Sequence, residues 1–67
     1  MEIQRRLAKN LVRLREERGW SQEELADQAG LHRTYVSGIE RRVRNPTILV
    51  LERLAKALKV PASDLLA

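Results

Sequence analysis

Two short amphipathic segments hinge on a single glycine in the middle of this chain, and that arrangement limits the fold more than any other feature. Ser21 is followed three residues later by Glu24. Its hydroxyl can accept from the Glu24 amide while the Glu24 carboxylate reaches back to the Ser21 amide, a capping box. Trp20 before the cap and Leu25 after it are placed to form the hydrophobic staple. Leu25, Ala26 and Ala29 mark an inner face, which predicts a helix over residues 22–29 stopped by Gly30. Leu31 reads as a buried connector, and Val36 and Ile39 turn a second helix inward over residues 33–41.

The flanking segments are helical as well. Ile3, Leu7, Leu11 and Leu14 form one stripe, ended by Gly19 after Arg18. Asn45-Pro46-Thr47 is a loop closing on a cap, after which Ile48, Leu51, Leu54, Ala55 and Leu58 give a fourth inward stripe. Pro61 breaks the chain again, leaving residues 62–66 for one last turn or short helix. No segment shows strand alternation or internal repetition, so the expected fold is all-α, a compact four- to five-helix bundle forming one domain over residues 1–67. Gly38, inside the second short helix, costs roughly 1 kcal/mol against Ala in an exposed helix. Its presence points either to a close backbone approach or to simple tertiary tolerance.

Size and charge narrow the functions available. At 67 residues the core is thin, with no room for a catalytic cleft plus a scaffold. The absence of cysteine removes disulfides, thiolate zinc sites and cysteine nucleophiles, and suits a cytoplasmic location. No apolar run approaches the roughly 20 residues of a membrane span. His32 stands alone without ligands at metal spacing, so neither a metal nor another cofactor is expected, nor a small-molecule ligand. Ten of the thirteen basic residues are Arg, whose planar fork matches phosphates and base edges. The net +4 is unevenly placed: residues 1–20 carry six basic and three acidic groups (+3), residues 21–32 three acidic groups (−3), residues 33–44 four basic and one acidic (+3), and the remainder +1. Glu23 and Glu24 fit capping and the helix dipole better than acid–base chemistry.

Two short helices joined by a tight glycine turn are what a DNA-binding helix-turn-helix requires. The first braces across the phosphates and the second enters the major groove. The residues carry this further. The run SQEELADQAG, then RTYVSGIER, then RNPT resembles the phage-repressor and Cro-type (XRE-like) helix-turn-helix family over residues 7–66. LHRTYVSGIER with RNP is most similar to the controller proteins of restriction–modification systems. That resemblance implies a lambda-repressor-like DNA-binding bundle and assigns roles. Arg33 and Thr34 would reach base edges, with Tyr35 and Ser37 as further base or backbone contacts. Gln22, Arg42, Arg44, Asn45 and Thr47 would meet the DNA backbone. Arg15 and Glu40 match an internal ion pair. The chain departs from the family pattern at His32, a poor cap, at Arg42 and Lys59, where glycine is usual, and at Gly38, which removes a side chain that often contacts DNA in relatives.

Ile48-Leu49-Val50-Leu51 is a run of four apolar residues. With Ile48 and Leu51 assigned to the inward stripe, Leu49 and Val50 face outward. Together with Leu65 and Leu66 they are expected to form a homodimer interface. The functional expectation is a sequence-specific transcriptional regulator that binds double-stranded operator DNA as a homodimer. A phage-repressor or antitoxin-like regulator of the same fold is the nearest alternative, and a basic protein-interaction module the alternative of another class. An enzyme has no support, since no nucleophile–base pair, metal cluster or phosphate-binding glycine loop is present.

Overall fold

A computed structural model describes residues 2–67. Five helices follow one another: α1 (Glu2–Glu17), α2 (Gln22–Ala29), α3 (Arg33–Glu40), α4 (Ile48–Leu58) and α5 (Ala62–Leu66). No strand occurs among the described residues. The core is aliphatic, with Leu11, Leu25, Val36, Ile39, Leu54, Leu58 and Leu65 all buried to within 1% of complete. Every helix contributes to it, so the helix-turn-helix pair is set by packing rather than by its own hydrogen bonds.

The α2–α3 unit forms as its local chemistry dictates. Ser21 Oγ accepts from the Glu24 amide at 3.0 Å. The reciprocal half of the capping box does not form, because Glu24 Oε2 instead accepts from Gln28 Nε2 one turn on, at 3.0 Å. Gly30 takes φ 71°, a left-handed conformation that costs L-residues about 1–2 kcal/mol. Its neighbour Leu31 donates back to the Ala26 carbonyl at 2.8 Å. His32 caps α3 by position only, making no side-chain bond.

Two expectations about the apolar residues need correction. Helix α4 is rotated from the phase assumed above: Ile48 is 85% exposed, whereas Val50 is half-buried against the core. At about 100° per residue, Val50 falls about 40° from the fully buried Leu54 and Ile48 about 120° away. The true stripe is therefore Val50, Leu51, Leu54, Ala55 and Leu58. The second correction is Leu65, which has no exposed surface and belongs to the core. It is held there because α5 folds back onto α1, where Asn10 Nδ2 donates to the carbonyls of Leu65 and Ala67 at 3.1 and 3.0 Å. Leu66 is half-buried alongside it, and Ile3, in the first turn of α1, is 41% exposed.

Arg42 and Lys59 occupy left-handed conformations, with φ of 64° and 57°. Lys59 ends α4, its side chain exposed, while Arg18 Nη2 crosses from the end of α1 to cap the Leu58 carbonyl at 2.6 Å. Glycine at position 59 would remove the steric cost and return only part of it as unfolded-chain entropy. Lys59→Gly is therefore expected to stabilise the protein by about 0.5–1 kcal/mol, raising Tm by roughly 3–6 °C. A melting curve unchanged or shifted downward would show that the Lys59 side chain itself holds the helix end.

Candidate nucleic-acid interface

The first residues of α3 stand clear of the bundle. Arg33 and Thr34 are exposed, and neither side chain is engaged in a hydrogen bond or ion pair among the described residues. Val36 and Ile39, fully buried beneath them, fix the face of α3 that turns outward. Tyr35 and Ser37 lie lower on the same helix and are half-buried. The Arg44 guanidinium sits over the Tyr35 ring, 5.3 Å from its centroid, and Ser37 Oγ accepts from Arg41 Nε at 3.2 Å.

Gly38 explains how Arg44 reaches that position. A β-carbon on residue 38 would stand 2.9 Å from Arg44 Cγ, too close for any real side chain. The missing side chain makes room for the aliphatic stem of Arg44, whose own amide, with that of Val43, donates to the Gly38 carbonyl at 3.1 and 2.9 Å. Of the two readings of this glycine, close approach is the one observed, and what approaches is a side chain rather than a second backbone.

The bracing helix is locked to α3 by one carboxylate. Glu40 Oε2 accepts from Arg15 Nε at 2.8 Å, and Glu40 Oε1 accepts from Arg15 Nη2 at 3.1 Å and from Gln22 Nε2 at 2.8 Å. Arg15 Nη1 also donates to the Trp20 carbonyl at 2.8 Å. The hydrogen bond to Glu40 holds the Arg15 guanidinium above its ordinary value, against a smaller opposing effect of burial. Gln22, expected on the phosphates, directs one of its two carboxamide N–H groups to Glu40, leaving the other and the free amides at the start of α2 to face an anion.

The loop after α3 is also tied down. Gln4 Nε2 donates to the Arg42 carbonyl at 3.2 Å and to Asn45 Oδ1 at 2.6 Å, and Thr47 Oγ1 accepts from the Val50 amide at 3.2 Å as the cap of α4. The side chains of Arg42 and Arg44 are exposed and, among the described residues, unpaired with any carboxylate. Of the four residues expected at a dimer surface, Leu49 alone is well exposed, at 71%, beside Ile48.

A family profile described as helix-turn-helix matches residues 11–65. The chain belongs to the HTH_3 helix-turn-helix family. Among its relatives, the control protein C.SmaI of Serratia marcescens is 46% identical over 66 residues, covering 98% of this chain and 79% of that protein. The crystal structure of a hypothetical transcription factor from Neisseria superposes with a TM-score of 0.94 at 48% identity, over 97% of this chain and 75% of that one. The restriction–modification controller protein C.Esp1396I, crystallised as a tetramer with its natural operator, gives a TM-score of 0.83 at 42% identity, over 88% of this chain and 78% of that one. This chain spans 57% of the length of the curated Neisseria meningitidis relative.

Within this HTH_3 fold, two residues outside the expected set hold candidate contact residues in place. Gln4 anchors the loop that carries Arg42 to Asn45, and Arg41 restrains the Ser37 hydroxyl. Arg41 sits four residues after Ser37, a helical neighbour that spacing could have revealed. Gln4 lies about forty positions from its partners, and nothing in its surroundings in the sequence signals the contact.

Proposed function

We propose that this protein is a cytoplasmic transcriptional regulator that binds a near-palindromic DNA operator as a homodimer, in the manner of a restriction–modification controller. The observation that carries the reading is the unencumbered N-terminal end of α3. Arg33 and Thr34 project there without internal partners among the described residues, and the exposed Arg44 guanidinium lies beside them over the Tyr35 ring. A helix presented this way places its first residues on base edges and its flanking cations on phosphates. That the relative C.Esp1396I forms a complex with its operator supports DNA as the partner.

Two such helices about 34 Å apart would enter successive major grooves, which makes the half-site spacing a geometric expectation. Selection of bound duplexes from random DNA tests the reading. It should return a two-fold sequence with half-sites one helical turn apart. Arg33→Ala should then relax preference at a single base pair per half-site, with a loss of about 1–3 kcal/mol for each guanine contact removed. Recovery of no consensus, or equal affinity for the recovered and random duplexes, would overturn it.

A further inference from the structure

Three cations that pair with no carboxylate among the described residues surround a cleft, and only one of them, Arg42, belongs to the expected DNA-contact set. The cleft lies between α1 and the turn after α3, and is lined by Arg5, Ala8, Lys9, Val12, Glu40 and Arg42. Arg5 and Lys9 are one helical turn apart on α1, so both heads lie on one face, and Arg42 meets them from across the cleft. Arg5, Lys9 and Arg42 are exposed, and no side-chain hydrogen bond or ion pair engages any of them among the described residues. The floor is apolar, formed by Ala8 and Val12, and the one carboxylate in the lining, Glu40, is already paired with Arg15.

Resting on the reading of the protein as an operator-binding regulator, we infer that this cleft is a phosphate-binding site, formed by Arg5, Lys9 and Arg42, for the DNA strand that passes the C-terminal end of the recognition helix. A helix lying in the major groove has a sugar–phosphate strand near each of its ends. At the N-terminal end of α3 the helix dipole attracts that strand. At the C-terminal end, the dipole and the Glu40 carboxylate repel it. The carboxylate is neutralised by Arg15, 2.8 Å away, and three further cations then reverse the sign of the local field. Arg5 and Lys9 thereby extend the contact surface onto a helix that is otherwise structural. They contribute affinity and no sequence preference, because phosphate carries none.

The salt dependence of binding tests this. Each phosphate neutralised contributes a slope of about −0.9 to log Kobs against log salt, so the double variant Arg5→Ala/Lys9→Ala should flatten the slope by nearly two. At about 0.1 M salt it should weaken both the selected operator and a random-sequence duplex by the same roughly 10- to 60-fold. The ratio between the two duplexes should stay at the parent value. Arg53→Ala/Lys56→Ala removes the same charge from α4, beside the α2 end, and is the control for net charge alone. The inference fails if the two double variants lose affinity equally, or if the α1 variant keeps the parent slope while the parent binds its operator. If the parent protein binds no duplex, the regulator reading itself has failed. Because Arg5 and Lys9 are exposed and make no bonds, an unchanged melting curve is expected, and Arg5→Gln/Lys9→Gln supplies a second charge-removing pair.

Discussion

Glu40→Ala is expected to remove a third or more of the protein's stability. The Arg15 side chain is 13% exposed and that of Glu40 6%, so the pair is shielded from solvent and the carboxylate is the acceptor for three separate N–H donors. Removing it leaves a part-buried guanidinium with only its bond to the Trp20 carbonyl, a change that costs up to about 3–5 kcal/mol. A chain of this size has roughly 3–10 kcal/mol of stability in total. Urea or thermal denaturation followed by circular dichroism would read the loss. Replacing both partners, as in Arg15→Met/Glu40→Leu, should recover most of it, because a packed apolar pair avoids the desolvation cost altogether. The sign of the Arg15 shift adds a second check. A raised basic group contributes stability that is complete below its ordinary value and is lost only as pH climbs through the higher folded value, so the penalty of Glu40→Ala should be flat between about pH 6 and 9. A melting temperature within two or three degrees of the parent would sink this account of how α1, α2 and α3 are held.

Leu49→Asp should convert the protein to a monomer and reduce operator affinity at least a hundredfold. Ile48 and Leu49 are 85% and 71% exposed and adjacent at the start of α4. A groove between α1, the α4 start and α5, lined by Ile3, Leu7, Pro46, Leu51 and Leu66 with Gln4 and Asn45, adds largely apolar surface that a second copy can cover. A dimer binds its second half-site at an effective concentration in the millimolar range, an advantage of about 10²–10⁴ that a monomer forfeits. Because Leu49 points away from the core, the variant should still fold, with helical circular dichroism intact. Sedimentation at concentrations from one to on the order of a hundred micromolar separates the outcomes. The interface belongs elsewhere if Leu49→Asp and Ile48→Asp both sediment as the parent does.

What the sequence revealed follows how local each cause is. Ser21 and Gly30 act within one turn of themselves, and α2 has the boundaries they predict. Arg42 and Lys59 replace the usual glycine, and both are found at positive φ. The run Ile48 to Leu51 misled because four consecutive apolar residues carry no phase. Only packing against Leu54 and its neighbours decides which pair turns inward. The caps made by Asn10 on α5 and by Arg18 on α4 join residues forty or more positions apart, which no periodicity encodes. The same holds for the interface. The tip of α3 is nominated by its motif, whereas Arg5 and Lys9 become candidates only once folding sets them opposite Arg42.

The space vacated at Gly38 has a bearing on how such a protein could change its target. Arg44 is seated by the helix it crosses, with its stem over residue 38 and its head over Tyr35, before any DNA arrives. Thr34 and Arg33 make no such internal commitment. On the proposed reading of α3, specificity and grip are separable: residues 33 and 34 could be exchanged to address a new operator while the preset arm beside them went on holding the strand. A substitution at 38 does the reverse, since any β-carbon dislodges the arm and leaves the letters at the tip unchanged. New specificities are thus most accessible to this scaffold through its first helical turn, with glycine retained one turn further on.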